Sequence, residues 1–406
     1  MVNTMKITKI DIRNFKSFED ISAELNDFNV IVGASASGKS NFIEAFRFLK
    51  DVCEDFEKGI NNHGGHFFKN INLDSSNSSC IKVRFSDGEA FSNRTTSDNY
   101  LIQYTSIDYE LCINFDDSIN ETVKFDFNLF KDDVFIKNNS LILNNQNWKI
   151  SANLVDNEVI DLEELVPKAL LNIVNDNMCE KHELIINSPL ASVPISWRNY
   201  FKSISYYNFD PKLCRVDNGS GNVVLNESGK NLPVVLEKIL EDSEKHGKFL
   251  NLVSILLAYI EDISVFKLED NRRMFRVSEK YNHSPVLSPL LSDGTINILA
   301  LITALYFEDA DIILIEEPER NIHPALFIQL VGMMKEVCLK KQIIITTHSP
   351  EILNCCNLAD IHLISRDSKG FSRISKPVNN EEIKDFIKTS GIGQVFVDNY
   401  LEFGNE

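Results

Sequence analysis

The chain has 406 residues, 43% of them hydrophobic and 25% charged, enough to bury a full core in one elaborated domain or two. Acidic residues outnumber basic ones by 59 to 41, and the net charge of −18 repels nucleic acid, so DNA binding by this chain alone is expected to be weak. No apolar run approaches the roughly 18 residues of a membrane span, and no basic region precedes an apolar block at the N-terminus; a soluble, cytoplasmic protein without a membrane partner is expected.

The first predicted elements are two paired strands in MKITKIDIRNFKSFEDISAEL, then a short buried strand, FNVIVG, ending in glycine. A helix follows from Ser40, because Phe42, Ala45, Phe46, Leu49, Val52, Cys53 and Phe56 recur at spacings of three and four; it is expected to end near Gly59. Residues 60–79 read as polar loop, and CIKVRF, YLIQYTSIDYELCINF, TVKFDFNLF and DVFIKNNSLIL as an antiparallel β-meander. From Asp161 to about Ile260 the pattern turns helical, in DLEELVPKALLNIV and NLPVVLEKILEDSEKHGKFLNLVSILLAYI. Strand and helix then alternate: a helix after LSDGT, the strand IILIEE, a helix through ALFIQLVGMMKEV, and the strands QIIITTH and IHLISR. That order predicts an α/β fold with a mainly parallel core sheet, a β-meander and a helical insertion. Eight cysteines without CxxC spacing predict neither a zinc site nor a disulfide framework, so reduced thiols are expected. His63 and His66 lack a third ligand and predict no metal site.

Four motifs carry chemistry. Gly33-Ala-Ser-Ala-Ser-Gly38-Lys39-Ser40 fits G-x-x-x-x-G-K-[ST] between a buried strand and an amphipathic helix. Its glycines let backbone N–H groups wrap a phosphate, Lys39 reaches the β/γ oxygens, and the Ser40 hydroxyl ligates Mg²⁺. The strand IILI ends in Glu316 and Glu317, carboxylates that suit a metal and an attacking water beside a triphosphate, while Glu319, after Pro318, reads as a turn or surface residue. His348 closes QIIITTH; alone it is an ordinary structural histidine, but a third strand ending beside the other two puts its imidazole within reach of a γ-phosphate. Leu291-Ser-Asp-Gly-Thr295, by itself, is a helix cap in which Ser292 or Asp293 accepts from free N–H groups.

Taken in order, IDIRNFKSF, GASASGKSN, LSDGT, IEEPERNIHP and TTHSP resemble the ABC-type P-loop ATPase heads of the RecF/SMC class, most closely the ATPase part of the OLD family and related antiphage ATPases. The resemblance implies an ATPase that binds ATP and Mg²⁺, with residues 1–60 and 261–406 forming the head and 61–260 an inserted meander and helical region. It implies nucleotide contacts from Gly33, Ser35, Ser37, Gly38, Lys39, Ser40 and Asn41, and Mg²⁺ held by Ser40 and Glu316. Glu317 would be the catalytic base, His348 the switch histidine, and Asn321 and His323 part of a dimer-contacting loop. Ser292, Asp293 and Gly294 would be a signature acting on the partner protomer's nucleotide. Partners implied are a second copy, in a dimer or higher oligomer, and a separate effector such as a nuclease. Three departures stand out: Ser35 and Ala36 replace the family's Asn and Gly, no glutamine loop can be placed, and the 58 residues after His348 are too few for the Toprim nuclease that OLD proteins carry. The rival is a RecF-like DNA-repair clamp, which needs a basic groove. A transporter subunit and a small-molecule kinase fit the insertion and the LSDGT segment less well.

Overall fold

A computed structural model describes residues 6–64, 78–86, 91–94, 100–114, 119–131, 134–144, 151–152, 197–217, 223–379, 381, 384 and 391–397. They fall into two compact units, each assembled from separate stretches of chain: Met1–Asn26, Asn41–Ile204 and Arg366–Ile374 in the first, and Asp27–Ser40, Ser205–Ser365 and Ser375–Glu406 in the second. The helical expectation for DLEELVPKALLNIV, and His66, lie outside the described residues.

The first unit is built on β1 (Lys6–Phe15), β2 (Phe18–Glu24), β4 (Ser79–Ser86), β5 (Phe91–Arg94), β6 (Tyr100–Ile113), β7 (Ile119–Lys131), β8 (Val134–Asn144), β9 (Ser151–Ala152) and β18 (Ser372–Ser375). Their order is β18-β2-β1-β4-β6-β7-β8-β9, with β5 also on β6, so the expected hairpin and meander are both present. Register puts Ile12 opposite Ile21 and Ile81, Val83 opposite Tyr109, and Tyr109 opposite Val123, all on the buried face. The alternate residues make the polar face, where Arg84 holds Asp108 at 2.6 and 2.8 Å.

Helix α1 (Lys39–Glu54) lays Phe42, Ala45, Phe46, Leu49, Val52 and Cys53 into this unit's core, with Phe42 edge-on to Phe18 at 6.4 Å. It stops at Glu54, short of the expected Gly59. Asp55 adopts extended backbone and caps a separate helix, α2 (Phe56–Asn62), accepting from Lys58 N. A further short helix, α3 (Trp197–Lys202), sends Arg198 onto the Cys53 carbonyl at 2.7 Å.

Beyond α2, buried His63 sits between two carboxylates of α1, with Nδ1 2.7 Å from Glu44 Oε1 and Nε2 3.0 Å from Asp51 Oδ2. Arg47 and Lys16 also contact Glu44, at 2.8 and 3.2 Å. Burial opposes each charge, yet the hydrogen bonds win: His63 is raised above its ordinary 6.5, Asp51 is lowered, and Glu44 is lowered to about 2. Stabilisation from His63 is therefore complete below pH 6.5 and is lost as pH rises through its raised pKa, while the Glu44 share is complete above 4.5 and is lost as pH falls toward 2. His63→Gln should cost about 2 kcal/mol near pH 5.5 and less at pH 9. Thermal unfolding of both proteins across that range checks it, and an equal gap at both ends refutes the charged clamp.

The cysteine expectation needs correcting. Cys80 and Cys112 lie directly opposite on β4 and β6, with Cα atoms 4.1 Å apart, and form a disulfide. Thirty-two residues of separation concealed the pairing, because only the antiparallel register brings the two positions together. Cys53, Cys214, Cys338, Cys355 and Cys356 are free thiols.

The second unit holds β3 (Phe28–Val32), β10 (Ile204–Tyr207), β15 (Ile312–Glu316), β16 (Gln342–Thr347) and β17 (Ile361–Arg366) in the order β10-β15-β16-β3-β17. The β15–β16, β16–β3 and β3–β17 pairs are parallel, which confirms the expected core sheet. All five residues of β3 and all six of β16 are buried, as strands covered on both faces require. A small antiparallel sheet comprises β11 (Val216–Asp217), β12 (Ile260–Lys267), β13 (Arg273–Glu279) and β14 (Val286–Leu287). Val30, Val32, Ile313, Ile315, Ile343 and Ile345 share one core with helices α4 (Leu232–Glu241), α5 (Ser243–Leu256), α6 (Asp293–Tyr306) and α7 (Phe327–Val337). The helical segment from Asn231 breaks at Asp242, whose carboxylate caps α5. Short helices α8 (Pro350–Asn354) and α9 (Ile392–Val397) complete the unit. No helix among the described residues is long and apolar enough to cross a membrane.

Candidate functional site

Parallel pairing brings three strand ends level. Glu316 stands beside Thr346, and Thr346 and Thr347 beside Ile31 and Val32, so motifs nearly 300 residues apart in sequence open at one edge of the sheet. That edge, at the carboxyl ends of parallel strands, is where open α/β sheets bind ligands.

The loop from Gly33 to Gly38 packs tightly. A Cβ on Gly33 would lie 2.1 Å from Ile364 O, so only glycine fits. Gly38 has φ 118° and Ala36 φ 61°, and alternation with left-handed residues is how successive N–H groups form an anion-binding nest. Ala36 is where the sequence departs from the family's glycine, and its left-handed backbone carries a strain of about 1–2 kcal/mol that glycine avoids. Lys39 is buried and donates to the carbonyls of Gly33 and Ala34, both at 2.8 Å. Burial lowers its pKa to about 8, against the opposing pull of Glu317 and Glu316. Ser35 and Ser40 are exposed and Ser37 is buried. Asn41, one residue further and in the first unit, donates to Ser17 Oγ at 2.7 Å.

Across from this loop, Glu317 N donates to Thr346 O at 2.9 Å, fixing the turn that ends β15, and Glu317 itself has φ 46°. His348 Nε2 lies 3.7 Å from Glu317 Oε1. Desolvation, then the Lys39 charge, lowers the His348 pKa, so the imidazole is neutral at pH 7 and one ring nitrogen can accept a hydrogen bond. Glu319 corrects the surface reading: its backbone is in the turn, but Oε1 accepts from the Thr347 hydroxyl, Oε2 is buried with no hydrogen-bond partner among the described residues, and burial raises its pKa. Thr347 Oγ1 also accepts from Ser349 N at 3.0 Å, so Glu319 braces the segment bearing His348.

The LSDGT segment behaves in its own chain as a cap. Ser292 Oγ accepts from Thr295 N at 3.1 Å, and Asp293 pairs with Arg215, which also donates to the carbonyls of Pro289 and Leu291 at 2.8 Å. A Cβ on Gly294 would meet Asn321 O at 2.4 Å, and Asn297 donates to Arg320 O at 2.6 Å, so the start of α6 is docked on the loop after Glu317. Their hydrogen bonds and ion pairs do not join Ser292 or Asp293 to Lys39, Glu317 or His348 of the same chain. In that loop Asn321 has φ 62°, and His323 caps the next turn by accepting from Ala325 N at 3.1 Å.

Two residues escaped the sequence reading. Asn208, just past β10, donates to Glu316 Oε2 at 3.2 Å, and Arg320 donates to Glu317 Oε2 at 3.2 and 2.9 Å. The usable signal for Asn208 in the sequence is an amide directly after the strand-like ISYY.

The residues present fit a magnesium-bound nucleoside triphosphate. A loop closed to a Cβ at Gly33, a buried lysine that donates to two loop carbonyls, and an exposed serine at a helix start form a cation-and-amide site complementary to phosphate. Such a site on a parallel sheet defines the P-loop class of ATPase. The family profile described as "AAA domain, putative AbiEii toxin, Type IV TA system" matches residues 28–152 and 196–354, and the chain belongs to that family. By family it is ATPase-like, and it is related to OLD proteins. The Old nuclease of Escherichia phage P2 is 22% identical over 411 aligned positions, covering 95% of this chain and 63% of that protein. Endonuclease GajA of Bacillus cereus (strain VD045) is 47% identical over 47 residues, 12% of this chain and 8% of GajA. The chain thus spans less than two thirds of either relative. An SMC head solved bound to the C-winged helix domain of ScpA aligns with a TM-score of 0.48 and 14% identity, over 91% of this chain and 97% of that one.

Proposed function

We propose that this chain hydrolyses ATP to ADP and phosphate, that two copies close on the nucleotide and reopen after hydrolysis, and that this cycle regulates a separate effector, a nuclease, in cytoplasmic antiphage defence. The observation that carries the reading is the meeting of Lys39, Glu316, Glu317 and His348 at three level strand ends. Lys39 binds the β/γ oxygens, exchanging its two carbonyl partners for phosphate. Ser40 and Glu316 hold Mg²⁺, which when bound neutralises phosphate charge. Glu317 accepts a hydrogen bond from the attacking water and polarises it toward the γ-phosphorus, while neutral His348 orients the same water or the γ-phosphate. Ser292, Asp293 and Gly294 serve the nucleotide of the facing copy, while in cis Ser292 caps α6 and Asp293 pairs with Arg215. The nuclease partner is drawn from the names of the Old and GajA relatives.

Light scattering tests the switch. With ATP and Mg²⁺, Glu317→Gln should double in mass, whereas Lys39→Ala should not change. Constant mass for a Glu317→Gln protein shown to bind ATP would remove the closing step.

A further inference from the structure

The two site glutamates are joined by an unbroken chain of polar contacts. Arg320 sends Nε and Nη2 to Glu317 Oε2, at 3.2 and 2.9 Å, and Nη1 to Asn208 Oδ1 at 3.4 Å. Asn208 Nδ2 continues to Glu316 Oε2 at 3.2 Å. The orientation of the amide is set from both sides, oxygen toward a guanidinium and nitrogen toward a carboxylate.

An exposed ion pair three residues apart adds little stability, so fold maintenance does not account for this arrangement. Its geometry does something else. Both Arg320 donors fall on one oxygen of Glu317, and the other, Oε1, is the one beside His348 Nε2. A glutamate side chain has three rotatable bonds, and a group that must meet a water at hydrogen-bond distance needs that freedom removed. The turn supplies the fork locally, since Arg320 N donates to Glu317 O at 3.0 Å and folds Arg320 back over Glu317.

We propose that Asn208 and Arg320 are positioning residues that lock Glu316 and Glu317 into one unit, presenting Glu317 Oε1 beside His348 and fixing Glu316 at the metal side. This rests on the roles proposed above for the two glutamates. Neither residue touches the reacting atoms; each acts through the carboxylate it holds.

Steady-state ATP hydrolysis tests it. Arg320→Ala and Asn208→Ala should each lower kcat by about 10- to 100-fold, the scale of a misplaced reacting group, with KM for ATP within about threefold of wild type. Links of one chain do not add, so the double variant should fall within about twofold of the worse single one. Arg320→Lys keeps the charge without the planar fork and should recover less than half of the lost rate. Asn208→Ala, but not Arg320→Ala, should raise the Mg²⁺ concentration needed for half-maximal rate. Should Asn208→Ala fail to fold, the isosteric Asn208→Asp, which sets a third carboxylate against Glu316, should show the same losses. Single variants within twofold of wild type, or faster than it, overturn the relay provided Glu317→Gln is inactive. A normally active Glu317→Gln would instead remove the assignment of Glu317 on which the relay rests.

Discussion

Lys39→Ala should lose measurable ATP binding, while Glu317→Gln should bind ATP as the wild type does and lose turnover by about 10²- to 10⁴-fold. The two residues differ in when they act. Lys39 places a full charge in a buried pocket, and its interaction with phosphate exists in the ground state as well as the transition state. Glu317→Gln is close to isosteric and removes only a group needed to polarise water; a thousandfold loss corresponds to about 4 kcal/mol in the barrier. Nucleotide binding and phosphate release have to be measured separately, with a melting curve to show that both variants fold. Near wild-type hydrolysis by Glu317→Gln would end its assignment as the base. Burial adds a pH signature. With its pKa lowered to about 8, Lys39 is charged at pH 7 and neutral in much of the free protein at pH 9. Binding above pH 8 must then take up a proton, so ATP affinity should fall by up to about tenfold per pH unit there. An affinity that is level from pH 7 to 9 would contradict it.

Mixing two inactive variants should restore activity if the LSDGT segment acts across a dimer. Lys39→Ala and Ser292→Arg each damage both sites of a homodimer, but in a mixed dimer one site collects both defects and the other is intact. Random exchange of equal amounts makes half the dimers mixed, so activity should recover to roughly a quarter of wild type when the sites work independently. The structure guides the choice of variant. A change at Gly294 would collide with the Asn321 carbonyl of its own chain, confusing a cis defect with a trans one. Ser292→Arg loses a cap worth about 1 kcal/mol, so Ser292→Asp is the companion: aspartate caps as well as serine, yet brings a negative charge toward the facing phosphate. Both should behave alike if the trans role holds. A chain carrying both defects, mixed with wild type, controls for dilution. Failure of either pair to recover, with exchange demonstrated and ATP bound by the Ser292 variant, would leave LSDGT as a helix cap alone or require obligatory coupling between sites.

The motifs were legible because each is local: a phosphate loop needs its glycines, lysine and serine within eight residues, and a strand end announces its carboxylates or histidine by an apolar run beside it. The sequence alone therefore determined the α/β order, the antiparallel meander and the helix after the loop, and it singled out Lys39, Glu316, Glu317 and His348 as the candidate groups. It could not decide what these groups touch. Hydrophobic period says which face of a strand is buried but not which strand lies next to it, and contacts across strands carry no local signal. Only the parallel register of β15, β16 and β3 set the three ends level, and only β10 beside β15 placed Asn208 against Glu316. Glu319 looked exposed because a carboxylate after Pro318 is most easily solvated, until the end of β16 supplied the Thr347 hydroxyl. The Glu44–His63–Asp51 clamp and the Cys80–Cys112 bond have the same origin: partners 12 to 32 residues apart that become neighbours when α2 folds back on α1 and β4 pairs with β6.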